Sequence, residues 1–141
     1  WNVAADIWSV TSFTMVAREG NEITRWNMMH PEETQKVPYA TECLAKTSGP
    51  IVAATDYVRL FAEQIRAYIP EGRSYTVLGT DGFGRSDTRA NLRRFFEMDR
   101  YYVTVAALAA LSKAGDIPAE TVTQAIGKYG LDSEKPNPII M

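Results

Sequence analysis

Cysteine and histidine are almost missing from this chain, with Cys43 the single thiol and His30 the single imidazole. One thiol excludes an internal disulfide and fits a reducing compartment, and the pair together leaves no zinc-ligand set. Long apolar runs are lacking too. No stretch approaches the ~20 residues of a membrane-spanning helix, and the first residues have neither the charged nor the apolar segment of a signal peptide. Charge of one sign is not concentrated anywhere: 15 basic residues stand against 17 acidic ones, for a formal charge of −2. Without a basic stripe or an acidic tail, neither nucleic acid nor a membrane is indicated as a partner. The expectation is a soluble, cytoplasmic protein. Its 141 residues are the size of one domain, read as a single unit over 1–141. Trp1 stands where an initiator methionine would, so the chain reads as a piece of something longer.

The most informative stretch is Tyr75-Thr-Val-Leu-Gly79-Thr-Asp81-Gly82-Phe-Gly84-Arg85-Ser86-Asp87, where an apolar β-type run breaks into three glycines within six positions. It reads as strand, tight loop, then a helix capped by Ser86 or Asp87 and carrying Leu92, Phe95 and Phe96. Loops after strand C-termini are where α/β sheets place ligands and partners, which makes Asp81, Arg85, Ser86 and Asp87 the first candidate site residues. The order G-x-x-G-x-G reverses the dinucleotide fingerprint, and no Walker lysine follows. Two readings of the loop stay open: a turn fixed by Asp81 and Arg85, and a phosphate cradle at a helix start.

Around this stretch the chain alternates. Ala5 to Val10 reads as a strand; Thr11 and Ser12 offer a cap for a helix from Phe13 that Pro31 stops near His30, with Gly20 as a soft spot. Residues 31–50 form a surface excursion with a short helix at Tyr39 to Ala45. Ile51 to Thr55 predicts a strand, and Asp56 the cap of a helix through Val58, Phe61, Ile65 and Tyr68 that Pro70 ends. Asp99 and Gly115 bracket a helix with almost no polar face, the pattern of an element buried on more than one side. Pro118 opens a last helix that Gly130 closes, and the apolar tail Lys135 to Met141 is expected to dock on a partner. Three strands alternating with helices predict an α/β fold, three-layer α/β/α, with a small, mostly parallel sheet that is incomplete at its N-terminal side.

Chemistry is sparse. His30, at a helix end beside Pro31, has no nucleophile in a recognised motif near it and reads as structural. Arg89, Arg93, Arg94 and Arg100 could clamp an anion, Arg89 and Arg93 being one turn apart, but a solvated or interface face paired with Glu97 and Asp99 is the plainer reading. Asp81 and Asp87 have no partner acid. Residues alone stop at an interaction-prone α/β domain without a self-contained active site.

The segments Ser9-Val-Thr-Ser-Phe13-Thr, Arg25-Trp-Asn-Met-Met-His30-Pro31, Ala54-Thr-Asp-Tyr57, Leu60-Phe-Ala-Glu-Gln64, Leu78 to Asp87 and Asn91-Leu-Arg-Arg-Phe-Phe-Glu97 go further. Together they resemble the C-terminal domain of the homodimeric, bacterial-type pyruvate dehydrogenases, within the transketolase-like group. The resemblance implies a parent enzyme that decarboxylates pyruvate on thiamine diphosphate and Mg2+ and acetylates the lipoyl group of a dihydrolipoyl acetyltransferase. In that family the cofactor sites lie on other domains, and the family's GDG…N motif does not occur here. The implied role is architectural, supporting the neighbouring domain and the second subunit of the homodimer. No catalytic, cofactor or metal residue is carried over; the access-route or interface candidates are Asp81, Arg85, Ser86 and Asp87 with Trp26 and His30. The alternatives are a free-standing phosphate- or nucleotide-binding module, and the same domain from a related 2-oxo acid dehydrogenase or a transketolase.

Overall fold

A computed structural model describes residues 1–141. Its centre is a β-α-β unit: β1 (Ile51–Ala54), α3 (Leu60–Glu63) with a 3-10 turn at Arg66–Tyr68, and β2 (Tyr75–Leu78). The strands are parallel, with Ile51 opposite Tyr75 and Ala54 opposite Leu78. The ladder is prolonged at both ends by Ile51 N–H to the Ser74 carbonyl (2.9 Å) and Thr55 N–H to the Leu78 carbonyl (3.0 Å). Before this unit stand α1 (Phe13–Met29) and α2 (Tyr39–Leu44); after it come α4 (Arg89–Phe95), α5 (Arg100–Ala114) and α6 (Ala119–Lys128).

Alternation along the strands sends side chains to opposite faces. Tyr75 and Val77, with Ile51 and Ala53, join a core made with Ala17 of α1, Ala40 of α2, and Ala62, Ile65 and Tyr68 of the α3 segment. Helix α5 lies against both strands without entering that cluster and packs on α6. The result is a small α/β domain. Leu108 of α5 and Ala125 of α6 are buried, and the Asp99 carboxylate accepts from the Tyr101 and Tyr102 amides (2.8 and 3.0 Å) while Gly115 closes α5 in the left-handed region at φ 88°. The expected caps of α5 therefore hold. The rest of its apolar surface is only half-buried.

The structure corrects several expectations. Ala5 to Val10 is not a strand: the sheet has two strands, and residues 1–11 make no backbone–backbone hydrogen bond. A strand exists only by pairing, and residues 5–10 pair with neither edge of the sheet. The helix expected from Asp56 to Tyr68 is short and broken, because the Asp56 carboxylate is committed elsewhere and the N-cap position falls to Arg59. The tail packs in part on its own chain: Pro138 is buried, in a 3-10 turn at Pro138–Ile140, and Lys135 donates to the Phe95 carbonyl (2.5 Å), while Ile140 stays 78% exposed. Pro118 sits at the N-cap of α6, one position outside the helix it was expected to open.

Gly20, read as a soft spot in α1, is the seat of the Tyr68 ring. A Cβ there would fall 2.5 Å from Cε2 and Cζ of Tyr68. That ring is buried and anchored by its hydroxyl, which donates to Asn21 Oδ1 at 2.8 Å, so it has little room to slip aside. Substituting a larger residue should lose packing although helix propensity would favour it. Gly20→Val is expected to destabilise the protein by about 1–3 kcal/mol in urea denaturation; unchanged stability would mean that α1 does not rest on Tyr68.

Candidate functional site

The loops leaving the C-terminal ends of β1 and β2 are built as one body. Thr80 N–H donates to the Tyr57 carbonyl (2.9 Å), and its hydroxyl to the Asp56 carbonyl (3.2 Å). The main chains approach so closely that a Cβ on Gly79 would lie 2.7 Å from the Tyr57 carbonyl oxygen and 2.9 Å from the Arg59 nitrogen. Only glycine fits that crossing.

Two carboxylates then cross-link the loops in opposite senses. Asp81, from the β2 loop, accepts the Arg59 amide at 3.1 Å and pairs with the Arg59 guanidinium. It thereby satisfies one of the unpaired N–H groups at the start of α3, where no local side chain caps the helix. Asp56, from the β1 loop, accepts from Arg93 Nε and Nη2 (3.0 and 2.8 Å) and from Arg89 Nη2 (2.9 Å) of α4. The fork of Arg93 on one carboxylate is the bidentate geometry that fixes direction as well as charge. Arg89 and Arg93 do share a face, as their spacing implied, but their partner is Asp56. Glu97 pairs instead with Lys135, and Asp99 with Arg94.

The other sequence candidates fall around this joint. Thr88, not Ser86 or Asp87, caps α4, its hydroxyl accepting from the Asn91 amide at 3.3 Å. Asp87 accepts from the Thr88 amide (2.6 Å) and from Asn91 Nδ2 (2.8 Å), and these bonds, Asn91 first, hold its carboxyl below the usual aspartate range. Arg85 does not pair with Asp81; its guanidinium lies 4.3 Å from the centre of the Phe95 ring. Ser86 is exposed, and so is Phe83, at 78%. Trp26 and His30 form a separate cluster: the rings stack at 4.3 Å, His30 Nδ1–H donates to the Trp26 carbonyl (2.8 Å), and Lys36 Nζ sits 3.7 Å over the indole. No hydrogen bond, ion pair or ring contact joins this cluster to residues 81–87.

Sequence reasoning missed Asp56 as a site residue, reading it as a helix cap; the only hint of its real role was the shared face of Arg89 and Arg93. No group of three His, Cys, Asp or Glu residues is assembled to hold a metal. A cavity of about 330 Å³ between α4, α5 and the segment after α6 has its two cations engaged. Arg94 donates to the Tyr129 and Gly130 carbonyls (2.9 Å each) and Lys135 to the Phe95 carbonyl. Both cations are spent on backbone carbonyls, which leaves none to face the diphosphate of thiamine diphosphate.

The joint has a pH signature. Hydrogen bonds from Arg93 and Arg89 hold the Asp56 carboxyl below its ordinary 3.8. Because the folded value is the lower one, its contribution to stability is complete above the unfolded value and disappears as pH falls through the folded one. The Asp56 carboxyl, followed by NMR, is expected to titrate below 3.8 and to move back upward in Arg93→Gln; an identical midpoint in the variant would refute the fork.

Comparison with known proteins agrees with this architecture. The family described as "Transketolase-like TK C-terminal domain" matches residues 1–99. Proteins named pyruvate dehydrogenase E1 component are similar along nearly the whole chain. The one from Cupriavidus necator is 55% identical over 139 residues, 99% of this chain and 15% of the relative. That from Pseudomonas aeruginosa is 52% identical over 139 residues, 99% of this chain and 16% of the relative. That from Escherichia coli K12 is 53% identical over 138 residues, 98% and 15%. The chain thus spans about 15% of the length of the curated relatives it matches, and it belongs to the transketolase-like C-terminal domain family, in the branch found in bacterial pyruvate dehydrogenase E1 components.

Proposed function

We propose that this chain is the structural and interface domain of a cytoplasmic pyruvate dehydrogenase (acetyl-transferring) that uses thiamine diphosphate and Mg2+. The parent decarboxylates pyruvate and passes the acetyl group to the lipoyl group of a dihydrolipoyl acetyltransferase. The identity of at least half the residues along nearly the whole chain to proteins named for that component carries the reading. The cofactor chemistry, on this reading, belongs to other parts of the parent.

On this reading the residues of the chain position and cover. Only 14 of 141 residues are buried, and Tyr57, Leu60, Phe61 and Phe83 lie exposed beside the cross-linked loops. Exposed apolar groups gathered at one place mark a surface meant to be covered. Neighbouring domains and the second subunit of the homodimer are the partners that fit, with Asp81, Arg85, Ser86 and Asp87 presented to them on a rigid base. Trp26 and His30 serve as a second, stacked contact point.

The parent polypeptide, assayed with pyruvate, other 2-oxo acids and a ketose donor in the presence of thiamine diphosphate and Mg2+, is expected to prefer pyruvate. Residues 1–141 by themselves are expected to show neither pyruvate turnover nor thiamine diphosphate binding in calorimetry. A preference for the ketose, turnover by 1–141 alone, or micromolar nucleotide binding by 1–141 that Gly82→Val abolishes would each overturn the reading.

A further inference from the structure

We propose that residues 135–141 form a strap that holds the 82–87 loop in its presented conformation. The proposal is independent of the enzyme reading above, since it concerns how this chain restrains its own candidate surface.

Loop and tail share two supports. The first is Gly82, which sits at φ 107° with its missing Cβ pointed at the tail: a side chain there would meet the Pro138 carbonyl oxygen at 2.8 Å and Ile139 Cα at 3.2 Å. Glycine is required twice over, by the backbone conformation and by the main chain lying on it. The second support is Phe95. Arg85 of the loop lies 4.3 Å from the centre of its ring and Lys135 of the tail 5.1 Å, both in cation–π range. Lys135 is further fixed by the Phe95 carbonyl at the end of α4 and by Glu97 Oε1 at 3.1 Å.

Between these supports the tail is pre-shaped. Asn137 Oδ1 accepts from the Ile139 amide at 3.0 Å, closing the turn that lays Pro138 into place. Beneath it a cavity of about 70 Å³, lined by Gly79, Asp81, Phe96 and Glu97 together with Asn137 and Pro138, connects the strap to the base of the loop. The grip is small in area. Pro138 is its one buried residue, and Ile140 is 78% exposed. A restraint with so few buried contacts opens locally at far lower cost than the core, so the loop has a held and a released state selected by the tail.

Arg85 supplies the readout, because trypsin cuts after it only where the loop can be drawn into an extended conformation. In the full-length protein carrying this domain, deletion of Pro138–Met141 and the milder Pro138→Gly are both expected to speed cleavage after Arg85, the deletion by about tenfold or more, as open-state population rises. Cleavage after Lys113 in α5 is expected to stay at the parent rate, and so is cleavage after Arg85 in Gly84→Ala, since a Cβ at Gly84 meets nothing within 4 Å. Unchanged cleavage after Arg85 in the deletion variant, or an increase there only in step with Lys113, would overturn the strap.

Discussion

Everything near the candidate site depends on the crossing of two backbones at Gly79. A two-stranded parallel sheet is a weak object: it offers one ladder of hydrogen bonds and has two open edges. Here the four paired positions of β1 and β2 are extended past the strand ends by Thr55 and then by Thr80, each bonding the other segment's main chain. That extension is available only because residue 79 has no side chain to hold the Tyr57–Arg59 backbone away. Once the backbones meet, Asp56 and Asp81 come within reach of arginines on the opposite segment, and the ion pairs follow from the contact.

The two carboxylates are not equivalent. Asp81 works at short range, filling the helix-start donor that no residue of its own segment fills, and its cost of desolvation is met by an amide and a guanidinium together. Asp56 reaches forward by 33 and 37 residues to Arg89 and Arg93. Without it, α4 would be held chiefly through Arg94, which grips the carbonyls at the end of α6, and through the rings of Phe95 and Phe96. Asp56 therefore couples the strand layer to the α4–α6 half of the domain, and the partly exposed pair gains its value from geometry more than from charge.

How much of this could be read in the sequence depended on whether the cause was local. Ser12, Asp99 and Gly115 marked helix ends correctly because a cap needs only residues within a turn of itself. The Gly79 to Gly84 run announced a special loop, and the long family string around it identified the branch. Non-local choices were illegible. Ala5 to Val10 has strand composition and no strand to pair with, and Asp56 has a cap's position and an arginine fork's partner. Asp81 and Arg85 look like neighbours in one loop, yet one binds Arg59 and the other lies on Phe95. For Asp56 and Asp81 a partner 33 and 22 residues away overrode a local preference that was real.

The same contrast explains the glycines themselves. Three in six positions suggest a ligand cradle, which requires open space above the backbone. At Gly79 and Gly82 that space is occupied by the chain's own main-chain atoms, from the β1 loop in one case and from the tail in the other. Gly84 alone opens outward. A loop pinned from both sides of its base and free at its tip presents Phe83, Arg85 and Ser86 with little conformational entropy left to lose, which is what a surface built to be covered gains from rigidity.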